Sequence, residues 1–297
     1  MRKVAGIRDV PPVFPIMVSK VLTTVVLSSL FLAGCAGKQQ LEGGASLRTS
    51  YLPVPSVTKP KNADDPVALE PAAWMRPGNP LAFAGRTVIV TPGEPIKLRP
   101  KEVALTFDDG PVPGKTPRIL ATLDDFKVKA TFLMVGEMAA HHPEIAREVA
   151  EHGHTIGSHT FDHKNLASIS FDAAMADVTR GEKAVAKATG TEPGIFRFPY
   201  LSDSRRLRGA IAAKGSFVID VNVDSNDYFR SSPAEVAART LSALRKNGGG
   251  IILMHDIHAR TAAMLPALLT QMKAEGYKIV TLKPKREARS FLIASAE

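Results

Sequence analysis

The chain predicts an α/β fold built on a parallel sheet, open or closed into a barrel. Three observations lead there. Short apolar runs alternate with amphipathic stretches from Val103 to Leu282, which amounts to about seven β/α units. Capping residues and glycines fall between those runs, where helices start and stop. The carboxylates, imidazoles and buried-looking arginine stand at the C-terminal ends of strand-like runs, the ends that meet on one face of a β/α barrel.

The elements follow in order. Val103–Phe107 is an apolar strand that stops at Asp108-Asp109-Gly110-Pro111. Ile119, Leu120, Leu123 and Phe126 keep helical spacing. Ala130–Val135 and His154–Ser158 read as the next strands, with Gly153 as a helix stop before the second. Ile195–Phe198 follows a second stop at Gly190, and Phe217–Val223 reads as one continuous strand. Ser232-Pro233-Ala234-Glu235 is a capping box with proline at the first helical position, and its helix stops at Gly248. Ile251–His255 and Tyr277–Leu282 complete the set, and Thr87–Val90 adds an edge strand.

The ends of the chain read differently. Of 297 residues, 44% are hydrophobic, which suits one or two globular domains and excludes a disordered chain. Val18 to Leu32 is apolar, with Lys20 near its start, and runs into Leu32-Ala33-Gly34-Cys35. This is the pattern of a secretory signal, too short for a membrane span. The last four residues resemble the bacterial lipobox, in which the cysteine becomes the lipidated first residue. The expectation is an exported protein of the bacterial envelope, lipid-anchored through Cys35 and facing periplasm or cell surface, with Met17 as an alternative start. Cys35 is the only cysteine, so no intramolecular disulfide exists. Residues 36–97 read as a Pro-rich linker, 98–285 as the folded domain and 286–297 as a C-terminal tail. The net charge of +9 reads first as a solubility feature and second as an affinity for anionic envelope polymers or lipid headgroups, and no stacking motif or basic helix argues for nucleic acid. A monomer is expected.

Adjacent carboxylates at a strand end repel, so such a pair holds a cation or splits its proton affinities. His159 and His163 are four residues apart. On a helical turn they share one face. With one carboxylate of the first motif they make a two-histidine, one-carboxylate metal site with an open position. Phe196-Arg197-Phe198-Pro199-Tyr200 and Ile251-Ile252-Leu253-Met254-His255-Asp256 end two further apolar runs in polar residues.

These pieces, in this order, resemble the polysaccharide deacetylase family, the NodB-homology domain of carbohydrate esterases. Thr106 to Pro111 matches its T-F-D-D-G-P motif, His159 to His163 its H-[ST]-x-x-H, Arg197 to Tyr200 its R-x-P-[YF], and Leu253 to His255 its L-x-H. Asp227-Tyr228 fits a further motif in which tryptophan usually follows the aspartate. The resemblance covers roughly 98–285 and implies a distorted (β/α)7 barrel. It implies a divalent metal on Asp109, His159 and His163, most often zinc; the donor set also admits cobalt, nickel or iron. Asp108 is then the general base, paired with Arg197. His255 is the general acid, with Asp227 as its partner ahead of Asp224 and Asp256. The Tyr200 backbone N–H joins an oxyanion hole, and Leu253 lines the pocket for the acetyl methyl. His258, His154, His141 and His142 receive no role. Tyr228 in place of tryptophan, and Leu201-Ser202-Asp203-Ser204 in place of a glycine-led turn, alter the sugar groove. The implied activity is N-deacetylation of an envelope polysaccharide, with peptidoglycan N-acetylglucosamine first. A chito-oligosaccharide deacetylase or O-acetyl polysaccharide esterase is the alternative, and a non-catalytic glycan-binding lipoprotein a further one.

Overall fold

The computed structural model describes residues 82–285. The expected leader with Cys35, most of the linker and the tail lie outside these residues. The strands are β1 (Ala84–Val90), β2 (Glu102–Asp108), β3 (Thr131–Met134), β4 (Thr155–Ser158), β5 (Ile195–Phe196), β6 (Phe217–Val218), β7 (Val223–Asp224), β8 (Gly250–His255) and β9 (Lys278–Pro284). The helices are α1 (Thr116–Asp125), α2 (Gly136–His141), α3 (Pro143–Glu151), α4 (Phe171–Thr189), α5 (Arg205–Ala213), α6 (Pro233–Asn247) and α7 (Ala259–Ala274). The stops at Gly190 and Gly248 sit in the left-handed region, and Ser232 forms the capping box on α6.

The strand pairings are parallel. β2 through β6 follow one another in the sheet, while the far edge of β2 pairs with β8 and β8 with β7. The result is the expected distorted barrel, β7-β8-β2-β3-β4-β5-β6, with no ladder between β6 and β7 among the described residues. The distortion corrects one expectation: Phe217–Val223 is two short strands, not one. Ile219 still bonds β5, its N–H donating to the Phe196 carbonyl at 2.9 Å. By Asn222 the chain has moved to β8: its N–H donates to the Ile251 carbonyl at 3.0 Å, and its Oδ1 accepts from the Ile251 N–H at 2.9 Å. No helix intervenes, so the two strands cannot splay far enough to pair with each other.

Alternation along β2 sets the layers. Val103, Leu105 and Phe107 pack outward under the helices with Ile119, Leu123, Leu265 and Leu268. Ala104, Thr106 and Asp108 therefore point inward. The lower end of the barrel is plugged. β9 pairs with β2 only at Glu102 and Val103, then runs beneath β4, where Thr155 Oγ1 donates to the Leu282 carbonyl. Val88, Val90, Val280 and Leu282 of the β1–β9 ribbon pack against Ala104, Leu133, Ile195, Phe217, Ile219 and Ile251. The strand expected at Thr87–Val90 is thus real and starts at Ala84, inside the stretch read as linker. The folded domain begins ahead of residue 98 because Val88 and Val90 are needed to close the barrel floor.

The plug should carry stability. Leu282→Ala should cost about 2–5 kcal/mol in urea unfolding, the usual range for a truncated core leucine. A loss well below 1 kcal/mol, on the scale of an ordinary surface change, would show that the ribbon does not support the barrel.

Candidate active site

With the floor sealed, the polar strand ends converge at the upper face. They surround a cavity of about 440 Å³ lined by Asp108, Asp109, His159, His163, Tyr200, Leu253 and His255, together with Phe198, Leu201, Asp224, Tyr228 and His258. The sequence-predicted residues of β2, β4, β5 and β8 therefore share one site. Asp227 stands directly behind His255.

Asp109 Oδ1 lies 3.1 Å from His163 Nε2 and 3.5 Å from His159 Nε2. One ligand atom from each residue falls within 4.8 Å of the others. The Asp109 Oδ1 is buried without a hydrogen-bond donor, an arrangement a cation would satisfy. His159 Nδ1 faces the Arg197 carbonyl at 2.8 Å. A carbonyl only accepts, so Nδ1 carries the proton and Nε2 keeps its lone pair toward Asp109. Burial holds the His159 pKa below its usual value despite Asp108 and Asp109 nearby, which keeps the ring neutral and ready to ligate. Burial also works against the Asp109 charge, yet the imidazoles around it, His163 foremost, hold its pKa at about 2. One carboxylate oxygen and two imidazole nitrogens suit a zinc-like ion.

The two histidines meet by a route other than the helical turn expected. His159 to His163 is a loop, with Thr160 at φ 64° and His163 at φ 54°. Thr160 Oγ1 accepts from the His163 N–H at 3.0 Å, and the Thr160 carbonyl accepts from the Gly136 N–H at 2.8 Å. α4 approaches so closely that a Cβ on Gly181 would lie 2.4 Å from the Thr160 carbonyl. The loop is thus shaped by α2 and α4.

Asp108 and Arg197 form the inner wall. Both are buried, and Arg197 donates from one nitrogen to Asp108 Oδ1 at 2.7 Å and to Thr106 Oγ1 at 2.8 Å. Asp108 Oδ2 is 3.9 Å from His159 Nε2. On the neighbouring strand end, Asp227 Oδ1 is 2.7 Å from His255 Nδ1, and its Oδ2 accepts from the His255 N–H at 2.8 Å and the Thr261 hydroxyl at 2.6 Å. Asp227 is therefore the carboxylate that faces His255. Asp224 instead accepts from the Tyr228 hydroxyl and the Asn226 N–H, while Asp256 accepts from Gly110 and Thr116. Burial pulls the His255 pKa down, but the Asp227 hydrogen bond and charge, with Asp108 and Asp109, carry it up to about 9.

Leu253 forms a buried wall, and Tyr200 sits at the rim at φ 58° with its ring edge-on to His163 at 4.8 Å. His258 joins the cavity unforeseen, 5.8 Å between ring centres from His255. Its place three residues after His255 was the available signal. Asp124, His152 and His154 also cluster, at the lower end. There His154 Nδ1 accepts from the Ala130 N–H, so its Nε2 bears the proton and has no lone pair for a metal.

The comparisons with known proteins agree with this geometry. The sequence pattern of polysaccharide deacetylases matches residues 96–219. A chitin deacetylase of Colletotrichum lindemuthianum is 34% identical over 225 residues, covering 71% of this chain and 90% of that protein. The chain belongs to the polysaccharide deacetylase family. Within it, the peptidoglycan-N-acetylglucosamine deacetylase PgdA of Listeria monocytogenes is 37% identical over 182 residues, 61% of this chain. The chain spans 38% of that relative's length. Among solved structures, a Bdellovibrio bacteriovorus peptidoglycan deacetylase superposes with a TM-score of 0.60 at 33% identity, over 69% of this chain and 57% of its own.

The His255–Asp227 pair predicts a pH-dependent stability. A raised imidazole pKa favours the protonated fold, so its contribution is complete below the ordinary histidine value of roughly 6.5 and is lost as pH rises through about 9. Subtracting the unfolding free energy of Asp227→Asn from that of the wild type should give a difference that shrinks across that window. A difference flat with pH would contradict the pairing.

Proposed function

We propose that this chain is a metal-dependent hydrolase that removes N-acetyl groups from an envelope polysaccharide, with peptidoglycan N-acetylglucosamine as its first substrate. The carrying observation is that one cavity brings together the Asp109–His159–His163 donor set and His255, which Asp227 holds from behind. Asp108 stands on the wall beside the donors. The names of the Listeria and Colletotrichum relatives, one a peptidoglycan and one a chitin deacetylase, support the same class.

The residues divide the work. When bound, a divalent ion, most often zinc in this family, supplies Lewis acidity toward a carbonyl and lowers the pKa of water. Asp109, His159 and His163 would hold it. Asp108 takes a proton from the attacking water; Arg197 fixes its Oδ1 and leaves Oδ2 toward the donors. His255 gives a proton to the departing nitrogen. An amine is a poor leaving group unless protonated, so an imidazolium in the same cavity as the donors favours amide over ester cleavage. The Tyr200 N–H stabilises the developing oxyanion, and Leu253 packs on the acetyl methyl. A non-catalytic glycan-binding lipoprotein would not need donors, base and acid together.

The rest of the chain supplies the address. Residues 1–35 act as a lipoprotein signal, Cys35 carries the lipid, and the residues between Cys35 and β1 tether the domain to the membrane.

Acetate release from peptidoglycan, chitin oligomers and acetylated xylan tests the reaction, with free amine counted alongside. Peptidoglycan should yield equal acetate and amine. Acetate without amine would establish an esterase instead. Asp108→Asn should retain metal yet lose roughly 10²–10⁴-fold in turnover; near-normal turnover would remove Asp108 as base. Cys35→Ser should release the protein from the membrane fraction or block its processing, and unchanged fractionation would contradict the anchor.

A further inference from the structure

Asp256 is a buried carboxylate that the reaction does not use. The residue is 1% exposed and does not line the cavity. Each oxygen accepts one strong bond: Oδ1 from the Gly110 N–H at 2.8 Å, Oδ2 from the Thr116 hydroxyl at 2.6 Å. The Thr116 oxygen in turn accepts from the Val112 N–H at 2.8 Å. The bonds therefore span 110–116, the loop that leaves the Asp-Asp motif and enters α1. From the other side, the Asp109 N–H donates to the Leu133 carbonyl and the Val135 N–H to the Gly110 carbonyl, each at 3.2 Å.

What this clamp holds is the backbone of Asp109. That residue sits at φ 79°, in the left-handed region, which aspartate tolerates better than most residues with a Cβ but which still costs energy that its surroundings must offset. The next residue has no room for a side chain. A Cβ on Gly110 would lie 2.0 Å from Asp256 Oδ2, so the carboxylate and the glycine are fitted to one another. The Asp256 N–H also donates to the Asp108 carbonyl at 3.2 Å. The same strand end thus grips the loop of the donor carboxylate and presents His255 to the cavity.

We propose that Asp256 is a positioning residue for the metal site: by clamping Gly110 and Thr116 it sets the left-handed turn that aims Asp109 at the cation held with His159 and His163. The inference rests on Asp109 being a metal ligand. A carboxylate suits the task because both oxygens accept; an asparagine would keep one acceptor and turn an N–H₂ group toward the Thr116 hydroxyl.

The test is zinc affinity of the full-length protein, measured by competition with a chromophoric chelator, with turnover recorded as zinc is raised. Asp256→Ala should weaken zinc binding about 10–100-fold, the effect of losing support behind a metal ligand. Its turnover should recover toward wild type at saturating zinc, because base and acid are intact. Asp256→Asn should lose less, since its oxygen still meets the Gly110 N–H. Gly110→Ala should weaken zinc alone but add little to Asp256→Ala, because the atom it strikes is gone. Should Asp256→Ala not fold, Thr116→Val carries the test, with a smaller loss in the same direction. Wild-type zinc affinity in the folded Asp256 and Thr116 variants would overturn the clamp alone. A wild-type protein that binds none of zinc, cobalt, nickel or iron, or a His163→Ala variant that binds zinc as tightly, would overturn the metal site and the clamp with it.

Discussion

A guanidinium without access to solvent sits at the centre of the barrel, and the site is arranged around it. Arg197 donates to Asp108 and Thr106 from β2 and, at 3.4 Å, to the Asp220 carbonyl beyond β6. Its own carbonyl accepts from His159 at the end of β4. One residue thus fixes the proposed base, the tautomer of a proposed metal ligand and the path of the chain across the open side of the barrel. A buried charge is tolerated only where partners are in place, so the arginine, the aspartate and the inward pleat of β2 stand or fall together.

The remaining geometry follows from strand polarity. Parallel strands send their C-terminal ends to one face, and the β1–β9 ribbon seals the other with valine and leucine. Polar residues can then gather at the top without water reaching them from below. The two sides of the cavity are tuned in opposite senses. Burial keeps His159 neutral, whereas a fully buried Asp227 keeps His255 charged. Two imidazoles in one cavity thereby acquire different chemistry, one fit to ligate and one fit to donate a proton.

Much of this was legible in the sequence because strand ends are local. Asp108, His159, Arg197 and His255 each terminate or closely follow an apolar run, and the runs themselves declare the sheet. What was not legible depends on distant neighbours. The His159–His163 spacing fits a helical turn, but Gly136 and Gly181 hold it as a left-handed loop. Phe217–Val223 is apolar enough for one strand, and only Asn222 bonding to β8 splits it. Three aspartates could have faced His255. The choice of Asp227 was decided by where the others turn, Asp224 to Tyr228 and Asp256 to Gly110. Thr87–Val90 was legible because Val88 and Val90 alternate as a half-buried strand does, whereas its Ala84–Arg86 start carries no apolar residue beyond an alanine to declare it.

X-ray absorption at the zinc edge of the metal-loaded protein tests the metal site most directly. Two imidazole nitrogens and at least one carboxylate oxygen are expected at about 2.0–2.2 Å, with the imidazole signal reduced in His159→Ala and in His163→Ala. A zinc shell made of oxygen alone, or one that neither substitution alters, would contradict it.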